Sequence, residues 1–477
     1  MSRRHDLIVI GGGTAGIVAA IAAAGVGARV ALVERELVGG DCLWTGCVPS
    51  KALIAAAAAA HTMRTAGRFG LPATTPTVDL AAVMASVRAT QAVIEPHDSP
   101  DRLRDLGIEV ITGSARFTSP TTVDVDGRSL RFRRAAIATG SGPVLPPVPG
   151  LDAVGALTSD TVWGLTDLPS RLVVLGGGPI GCELGQSFAR LGSHVTIVEM
   201  ADHLLPREQP EAGAVIARRL AAEGVDVRLG TTAVGAATRR LTVRTGGVDD
   251  ELAFDQVLVA TGRAPRTADL GLDVAGVALT RTGHVAVDDR LRTSNRRIYA
   301  GGDVTGRLPF THAAANHGVA IATNALFGLP RKVDESRIPW VTFTDPEVAH
   351  VGLTPAQAHE RWGEAAIVRT QDLAEVDRAV TARATDGFVT LVADPKQRIV
   401  GATIVAPAAG ESIAEIVAWM ANTGRISDVG MTIHAYPTWS EGQSRAGVQV
   451  VQETWNAPRV TRLTRALLAI LRVVDRG

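Results

Sequence analysis

The sequence predicts an α/β protein with two doubly wound, parallel-sheet units and a smaller α+β domain at its C-terminal end. Two observations predict the first part. A unit of strand, glycine-rich loop, helix and strand occurs near the N-terminus and again near residue 172, and each copy ends on an acidic residue. A third observation predicts the last domain, because the pattern after about residue 336 changes to alternating strands followed by a helix.

The first unit begins with an apolar strand at residues 7–10, which is typical of a buried parallel sheet. Gly11, Gly13 and Gly16 follow, and a second strand ends at Glu34, 23 positions after the first glycine. The first glycine permits a tight turn, the second lets a pyrophosphate approach the backbone, and the third lets helix and strand pack closely. The N–H groups at the helix start favour phosphate, and the carboxylate accepts hydrogen bonds from ribose hydroxyls.

The second unit repeats this order with Gly176, Gly178 and Gly181, and its following strand ends at Glu199, again 23 positions after the first glycine. One glycine motif would be weak evidence, since glycine also serves simple turns. Two copies with the same elements in the same register predict two Rossmann-like dinucleotide-binding domains.

Two cysteines, Cys42 and Cys47, lie shortly after the first unit, and the chain has only three cysteines in 477 residues. A redox-active dithiol beside a bound nucleotide explains their position best. The alternative is a passive disulfide, which is disfavoured in a chain without secretory features, because reducing compartments keep such thiols open.

Composition excludes some functions. Lysine plus arginine and aspartate plus glutamate each number 48, so the formal net charge is zero, which argues against a nucleic-acid-binding protein. The basic N-terminus and the apolar run after it imitate a signal peptide, but Gly11, Gly13 and Gly16 interrupt that run. The sequence shows no uninterrupted membrane span and predicts a cytoplasmic protein.

Together these features resemble the class I pyridine nucleotide-disulfide oxidoreductases, the FAD-dependent family of dihydrolipoyl dehydrogenase, glutathione reductase and mercuric reductase. The resemblance covers residues 1–456 and rests on the two glycine loops, the two cysteines with Pro49-Ser50-Lys51, Gly302-Asp303, Phe343–Glu347 and His434–Glu441. It implies a homodimer with FAD on the first loop and NAD(H) or NADP(H) on the second. The implied domains are an FAD-binding domain in two parts (1–150 and 271–335), an NAD(P)-binding domain (151–270), a dimerisation domain (336–457) and a C-terminal helix (458–477).

The resemblance also implies which residues contact the cofactors. Glu34 would hold the adenosine ribose of FAD, Asp303 the ribityl chain, and Thr311 the region near the isoalloxazine ring. No resident metal site is implied. The full set of implied cofactor-binding positions is Gly11, Gly13, Thr14, Ala15, Gly16, Glu34, Arg35, Gly40, Lys51, Ala115, Thr139, Gly140, Gly176, Gly178, Ile180, Gly181, Glu199, Gly262, Asp303 and Thr311.

The catalytic residues implied in this way surround the dithiol. Cys47 would be the thiol next to the flavin and Cys42 the interchange thiol that faces substrate. Lys51 would lie near flavin N5, where its charge stabilises reduced flavin, and Glu183 would keep that lysine charged. A helix N-terminus and Lys51 would favour a thiolate. Cys182, by contrast, is expected to be a packed core residue.

Glu199 bears on the choice of nicotinamide. A carboxylate at this position favours a free 2′-hydroxyl and repels a 2′-phosphate. Met200, Ala201 and Asp202 follow it, and the next arginine is Arg207. The sequence therefore predicts that NAD(H) is preferred over NADP(H).

One position departs from the disulfide-reducing relatives, which carry a catalytic histidine where this chain has Tyr436. Tyrosine has an unperturbed pKa about 3.5 units above that of histidine, so forming its proton-accepting phenolate at neutral pH costs about 5 kcal/mol more than forming neutral histidine. His434 lies two positions away, and Glu441 keeps its expected place. The active site is therefore expected to combine Cys42 and Cys47 of one subunit with Tyr436 and Glu441 of the partner subunit.

This departure makes lipoamide or glutathione a disfavoured substrate. Mercuric reductases place tyrosine here, but they also carry a C-terminal cysteine pair, and this chain has no cysteine after Cys182. The predicted acceptor is a small molecule that needs little protonation: a metal ion, a quinone or another electrophile. Two alternatives remain open, a dihydrolipoyl dehydrogenase that uses His434 as its base and a redox-sensing flavoprotein that serves as a binding module.

The last segment, residues 458–477, is predicted to form a basic amphipathic helix. Its apolar positions, Leu463, Leu467, Ile470, Leu471 and Val474, share one face. Its arginines, Arg459, Arg462, Arg465, Arg472 and Arg476, lie largely elsewhere. Such a helix can lie on an anionic membrane or pack on its own dimer, and the sequence supports both equally.

Overall fold

The computed structural model describes residues 4–474 and divides by compactness into two units. The first unit runs to Asp202 and continues over Leu220–Glu335, and the second combines His203–Arg219 with the chain from Ser336 onward. The segment 203–219, assigned from the sequence to the NAD(P)-binding domain, thus groups with the second unit, where Glu208 accepts a hydrogen bond from the indole of Trp340. The finer domain boundaries stay predictions.

The structure contains strands and helices throughout both units. The strands are β1 His5–Ile10, β2 Val30–Glu34, β3 Glu109–Thr112, β4 Ala115–Ser119, β5 Thr122–Val125, β6 Arg128–Ile137, β7 Ser141–Pro143, β8 Leu157–Thr158, β9 Arg171–Leu175, β10 His194–Val198, β11 Asp226–Arg228, β12 Thr231–Ala237, β13 Arg240–Thr245, β14 Val248–Ala253, β15 Gln256–Val259, β16 Arg263–Pro265, β17 Ile298–Ala300, β18 Trp340–Thr342, β19 Glu347–Gly352, β20 Ile367–Asp372, β21 Phe388–Ala393 and β22 Ile399–Ala406. The α-helices are α1 Thr14–Ala24, α2 Gly40–Trp44, α3 Cys47–Thr65, α4 Leu80–Ile94, α5 Pro100–Asp105, α6 Pro179–Leu191, α7 Pro210–Ala222, α8 Thr311–Phe327, α9 Pro355–Trp362, α10 Asp377–Ala382, α11 Ala409–Ala421, α12 Ile426–Met431, α13 Glu441–Asn456 and α14 Pro458–Val474.

The first sheet of the first unit has the strand order β3-β2-β1-β6-β5-β4, and β17 also pairs with β6. The strands β1, β2, β3, β6 and β17 pair in parallel. Leu7 and Val9 join one buried cluster, while Ile8 and Ile10 join the cluster on the other face. Both faces of the sheet are covered at residues 7–10. Every residue of this part of β1 is therefore apolar, as a doubly wound sheet requires.

The second sheet of the first unit contains the second repeat. Its order is β11-β10-β9-β15-β8, and all of its pairs are parallel. The succession β9, α6, β10 matches β1, α1, β2 element by element. A three-stranded antiparallel sheet, β12-β13-β14, is inserted before β15. The predicted fold of two repeated α/β units is confirmed.

The second unit contains an antiparallel sheet with the order β18-β19-β22-β21-β20. Its core joins apolar residues of the central strands with residues of α11, α12 and α13. The helix predicted to follow the alternating strands is α11, Ala409–Ala421. The α+β character predicted for this part of the chain is confirmed.

One helical run corrects an expectation from the sequence. Residues 40–69, which include α2 and α3, are long and apolar enough to cross a membrane by length and composition alone. Leu53 and Ala57 of this run are buried within the first unit. Lys51, two residues before Leu53, forms an ion pair with Glu183 of α6. Part of the run thus packs within the folded first unit.

Candidate active site

The first glycine loop joins β1 to α1 and is compact enough to require glycine at two places. Gly11 has a φ of +106°, and a Cβ there would lie 2.3 Å from the carbonyl oxygen of Ala138. A Cβ on Gly16 would lie 1.9 Å from the carbonyl oxygen of Gly11. Any side chain at Gly16 would therefore push α1 away from the loop, as expected for the third glycine of this motif.

The second loop, between β9 and α6, repeats this geometry closely. Gly176 has a φ of +107°, and its Cβ would lie 2.6 Å from the carbonyl oxygen of Ala260. A Cβ on Gly181 would lie 1.9 Å from the carbonyl oxygen of Gly176. The repeat found in the sequence is thus a repeat of atomic contacts.

Both predicted acidic residues close their loops by hydrogen bonds to backbone N–H groups. Glu34 accepts from Gly12 N at 2.6 Å and from Glu36 N at 2.8 Å. Glu199 accepts in the same way from Gly177 N at 2.6 Å and from Ala201 N at 2.7 Å. Each carboxylate therefore lies fixed beside its loop, where a ribose would pass.

The loops leave room for phosphates at the starts of α1 and α6. A Cβ on Gly178 would meet no atom within 4 Å, and one on Gly13 would meet only Gly40 Cα, at 4.0 Å. Open space, helix N-termini and a fixed carboxylate together fit a dinucleotide at each loop, which would be FAD at the first and a nicotinamide cofactor at the second.

The dithiol lies next to the first loop. Gly40, the first residue of α2, approaches so closely that its Cβ would lie 2.7 Å from Gly13 Cα. Cys42 follows within α2, and Cys47 begins α3. Cys47 is exposed, Cys42 is half-buried, and both are free thiols. Cys47 Sγ lies 3.3 Å from Thr311 Oγ1, so the structure brings the predicted thiol and the predicted flavin-contacting hydroxyl together.

The two thiols differ in proton affinity. A hydrogen bond from Cys42 is the largest cause that lowers the pKa of Cys47, and Thr311 and Lys51 act in the same direction, so that this pKa is about 6. The same hydrogen bond, together with burial, raises the pKa of Cys42 well above its usual range. The pair therefore holds one thiolate on Cys47 and one proton on Cys42 at neutral pH.

Lys51 and Glu183 form the predicted pair. Lys51 Nζ donates to Glu183 Oε2 at 2.9 Å, and the glutamate side chain is only 7% exposed. The lysine lies on α3, one turn after Cys47, and the glutamate on α6, two residues after Gly181. Cys182 beside it is fully buried and its thiol donates to the carbonyl of Gly177, as expected of a core residue.

The remaining implied cofactor positions fall at several places in the first unit. Thr14 begins α1, Ala15 follows it in a buried position, and Ile180 is the second residue of α6. Arg35 is exposed and hydrogen bonds to Glu36, which leaves its predicted cofactor contact a prediction. The others follow strands or begin elements: Ala115 on β4, Thr139 and Gly140 after β6, Gly262 after β15, and Asp303 after Gly302.

The structure adds a network that the sequence had not indicated. Arg263, next to Gly262, donates to Asp41 at 3.0 Å and to Ser141 Oγ at 2.9 Å. Ser141 Oγ in turn donates to Asp303 at 2.8 Å. The only sequence signal for Arg263 was its place beside a predicted cofactor glycine, and its partners lie too far away in the chain to be read from spacing.

The residues predicted for the partner's side of the site lie in the second unit. Tyr436 is 70% exposed and its hydroxyl donates to Asp377 at 2.6 Å. That hydrogen bond is the main reason why the pKa of Tyr436 is raised above its ordinary value. Glu441 begins α13 and pairs with Arg445. The raised pKa makes the proton-accepting phenolate of Tyr436 even scarcer at neutral pH than its residue type implies.

His434 has different surroundings. Its Nε2 lies 2.8 Å from Glu415 and its Nδ1 lies 2.9 Å from the carbonyl oxygen of Thr432. Both ring nitrogens face acceptors, and the side chain is 11% exposed. An imidazole fixed in this way acts as a structural link between α11 and the segment before α13, and it is poorly placed to accept a proton from a thiol.

Comparisons with known proteins agree with this geometry. The family model described as pyridine nucleotide-disulphide oxidoreductase matches residues 5–318, and the model of its dimerisation domain matches residues 338–446. A mercuric reductase of Lysinibacillus sphaericus is 36% identical over 456 residues, which cover 94% of this chain and 83% of that protein. A dihydrolipoyl dehydrogenase of Thermus scotoductus is 36% identical over 460 residues, which cover 93% and 97%.

Solved structures give the same result. The Cu(II) complex of the HOCl-induced flavoprotein disulfide reductase RclA from Escherichia coli has a TM-score of 0.82 at 31% identity, covering 92% of this chain and 99% of that one. LpdA from Mycobacterium tuberculosis has a TM-score of 0.84 at 28% identity, covering 93% and 99%. With two nucleotide loops, a dithiol beside the first and a dimerisation domain, the chain belongs to the FAD-dependent pyridine nucleotide-disulphide oxidoreductases and is an enzyme of that family.

Proposed function

We propose that this enzyme takes electrons from NADH and delivers them, through Cys42 and Cys47, to a redox-active metal ion, with Cu(II) as the first candidate. One observation carries the proposal: Tyr436, whose hydroxyl is bound to Asp377, occupies the position of the usual catalytic base. Reduction of a disulfide substrate needs a proton for the leaving thiolate, whereas reduction of a metal ion needs none. Relatives named as mercuric reductases and a relative solved with Cu(II) support a metal acceptor.

The chain's own residues have distinct tasks in this proposal. FAD held at the first glycine loop would supply hydride chemistry with the nicotinamide, and its two electrons would reduce a Cys42–Cys47 disulfide to the dithiol. Cys47 keeps its thiolate next to Thr311, while Lys51, paired with Glu183, supplies the positive charge at this end of α3. Cys42 retains the proton and faces the acceptor. Two Cu(II) ions would take one electron each and become Cu(I), as the dithiol closes to a disulfide and releases the one proton held on Cys42.

An anaerobic titration with NADH followed by a panel of acceptors tests this assignment. We expect two-electron reduction by NADH and turnover with Cu(II) well above turnover with lipoamide or glutathione disulfide, with Hg(II) and quinones as further arms. Cys42→Ser should abolish metal reduction. If quinone reduction survives that substitution, its electrons leave the flavin directly. Efficient lipoamide turnover by the unchanged enzyme would overturn the proposal.

The dihydrolipoyl dehydrogenase alternative needs His434 as a base. The contacts of His434 with Glu415 and Thr432 weigh against it. The redox-sensing alternative predicts bound FAD but negligible NADH turnover with every acceptor of the same panel. The retained ion pair of Lys51 and Glu183 weighs against that alternative.

The preference for NADH rests on Glu199. Its carboxylate is held by two backbone N–H groups at the end of β10, where a 2′-phosphate would meet its negative charge. Met200 next to it is 73% exposed and offers no positive charge. Steady-state kinetics with both nicotinamides should give the higher kcat/KM with NADH, and the opposite order would refute this preference.

We also infer a cytoplasmic protein whose helix α14 contacts an anionic membrane. The helix has no acidic residue, and its arginines lie largely away from the face that carries Leu463, Leu467 and Ile470. The apolar face is exposed in the structure, with Leu463 at 73% and Ile470 at 62%. A second copy of the same helix would carry the same positive charge, so charge complementarity favours anionic lipid over self-association. Arg476, the last of the predicted arginines, lies outside the described residues.

Co-sedimentation with phosphatidylcholine vesicles, with and without phosphatidylserine, tests the membrane contact. The full chain should sediment only with the anionic vesicles, and high salt should release it. Leu463→Asp with Leu467→Asp should abolish sedimentation. The matched control, Ala466→Asp with Ala469→Asp, makes the same charge change on the arginine face and should weaken sedimentation less. Failure to sediment with the anionic vesicles would refute the membrane contact, and equal sedimentation with both vesicle types would refute its dependence on anionic lipid.

A further inference from the structure

Arg263 is the best-connected cation of the network beside the dithiol. It begins β16, and its side chain is 19% exposed. Its Nη2 donates to Asp41 Oδ2 and to the Ser141 carbonyl, each at 3.0 Å, and its Nε donates to Ser141 Oγ at 2.9 Å. Its Nη1 reaches Ser159 Oγ at 3.3 Å. A guanidinium with donors in several directions can serve all of these acceptors at once, which a lysine cannot do.

On one side the network ends at the dithiol. Asp41 immediately precedes Cys42 in α2, and its other carboxylate oxygen accepts a hydrogen bond from Thr45. The hydrogen bond between Cys42 and Cys47 has the largest effect on the pKa of each thiol, but the Asp41 charge raises the pKa of both. A negative charge at this position works against the thiolate, and Arg263 offsets it.

On the other side the network ends at Asp303. Ser141 Oγ lies 2.8 Å from Asp303 Oδ2 and 2.9 Å from the Nε of Arg263. A carboxylate only accepts and a guanidinium only donates, so the serine hydroxyl must donate to Asp303 and accept from Arg263. The direction of every hydrogen bond between Asp303 and Asp41 is therefore fixed.

We infer that Arg263 is a positioning residue that links the flavin-binding carboxylate Asp303, through Ser141, to the charge of Asp41 beside the dithiol. The link rests on the proposed roles of Asp303 and the dithiol. When a ribityl chain engages Asp303, the hydrogen bonds that hold the guanidinium change, and Asp41 is neutralised to a different extent. Binding of FAD therefore changes the thiolate fraction of Cys42 and Cys47 before any electron is transferred.

Other charges surround the same groups and enter the test. Asp160 lies 3.9 Å from Nη1 of Arg263 and is itself paired with Arg266 at 3.4 Å. Lys51 acts on Cys47 with the opposite sign to Asp41. Neither Asp160 nor Lys51 is part of the hydrogen-bonded path between Asp303 and Asp41, so both can stay unchanged while the path is cut.

The test measures alkylation of the reduced protein by iodoacetamide across a pH series, with Cys42 and Cys47 resolved by mass spectrometry, in FAD-loaded and FAD-free protein. Arg263→Gln should move the alkylation midpoint upward by about half a pH unit, about threefold in thiolate fraction at fixed pH. Asp41→Asn should move it downward, and the double variant should return close to the unchanged protein. FAD should shift the midpoint of the unchanged protein but not that of Arg263→Gln.

Three controls separate this role from a general loss of structure. Ser159→Ala removes one contact of the same guanidinium outside the path and should leave the profile unchanged. Arg263→Lys retains the charge and should therefore shift the alkylation midpoint less than Arg263→Gln does. Thermal unfolding shows whether each variant folds. If Arg263→Gln does not fold, Ser141→Ala interrupts the same hydrogen-bonded path at a second residue and replaces it in the test.

The link would be overturned if Arg263→Gln shifted the alkylation midpoint equally with and without Asp41. It would also be overturned if no variant shifted the midpoint, or if FAD still shifted the midpoint of Arg263→Gln. Because alkylation needs neither NADH nor an acceptor, its outcome is independent of the metal-reduction proposal. A failed acceptor panel would leave this result standing.

Discussion

Cys47 and Cys42 share one hydrogen bond but differ in charge, and this difference sets the pH range in which the dithiol reacts. Because the pKa of Cys47 is about 6, its thiolate forms as pH rises through 6 and is nearly complete at pH 7. Below pH 6 the thiolate is lost. Cys42 keeps its proton throughout that range because its pKa is raised. The thiol that the family resemblance places next to the flavin is thus the charged one.

Lys51→Met should raise the pH at which Cys47 ionises. The lysine charge lowers the pKa of Cys47, so its removal should shift the midpoint of iodoacetamide labelling upward by about 0.5 to 1 pH unit. Glu183→Gln, which removes the acid and keeps the lysine, is the matched control and should give no upward shift. A labelling profile that Lys51→Met leaves unchanged would contradict this electrostatic role.

Tyr436→His should restore the ability to reduce disulfides. A histidine at this position has an unperturbed pKa near 6.5 and can protonate a leaving thiolate, which Tyr436 bonded to Asp377 cannot do at neutral pH. We expect at least about tenfold higher kcat with lipoamide and little change with Cu(II). Tyr436→Phe controls for loss of the hydroxyl. If the histidine variant gains nothing, proton supply is not what limits disulfide substrates.

At the scale of elements, the two strand–loop–helix units can be disabled separately. A methyl group on Gly16 or on Gly181 would lie 1.9 Å from a carbonyl oxygen of its own loop. We expect Gly16→Ala to yield protein with little bound FAD, measured by its absorbance after purification. Gly181→Ala should retain FAD but lose reduction by NADH. The two substitutions make the same clash, so each is the control for the other, and equal FAD loss in both would show a folding defect instead.

The two strand–loop–helix repeats are also the part of the fold that the sequence predicted best. Glycine spacing and a closing acid are local signals, and both act within a stretch of 24 residues. The grouping of segment 203–219 with the second unit depends on contacts such as Glu208 with Trp340, which lie 132 positions apart and leave no pattern. The same holds for Asp41 with Arg263 and for Tyr436 with Asp377. Lys51 and Glu183 were paired only because the family resemblance supplied their partnership.

At the scale of the whole molecule, the family's dimerisation domain points to a homodimer. Ile433 in this domain is 97% exposed, and Met431 close by is 67% exposed. Large apolar side chains exposed together on a folded unit are typical of an interface. Ile433→Asp should therefore yield a monomer by light scattering, with FAD retained and turnover strongly reduced. Val93→Asp, at a position 75% exposed on α4, is the control and should remain dimeric. A fully active monomer would contradict a site shared between subunits.

The ion pair between Lys51 and Glu183 has a consequence for how this protein can be changed. The lysine lies on α3, after the first nucleotide-binding repeat, and the glutamate lies on α6 of the second repeat, so an exchange of either part of the chain must preserve this pair. A chimaera that imports the nicotinamide-binding half from another reductase would need a carboxylate at the position of Glu183. Without it, the lysine beside the thiolate would lose the ion pair that it forms with Glu183 here. Compatibility between the exchanged parts therefore depends on this hydrogen bond together with the other contacts that join them, such as that of Arg263 with Asp41.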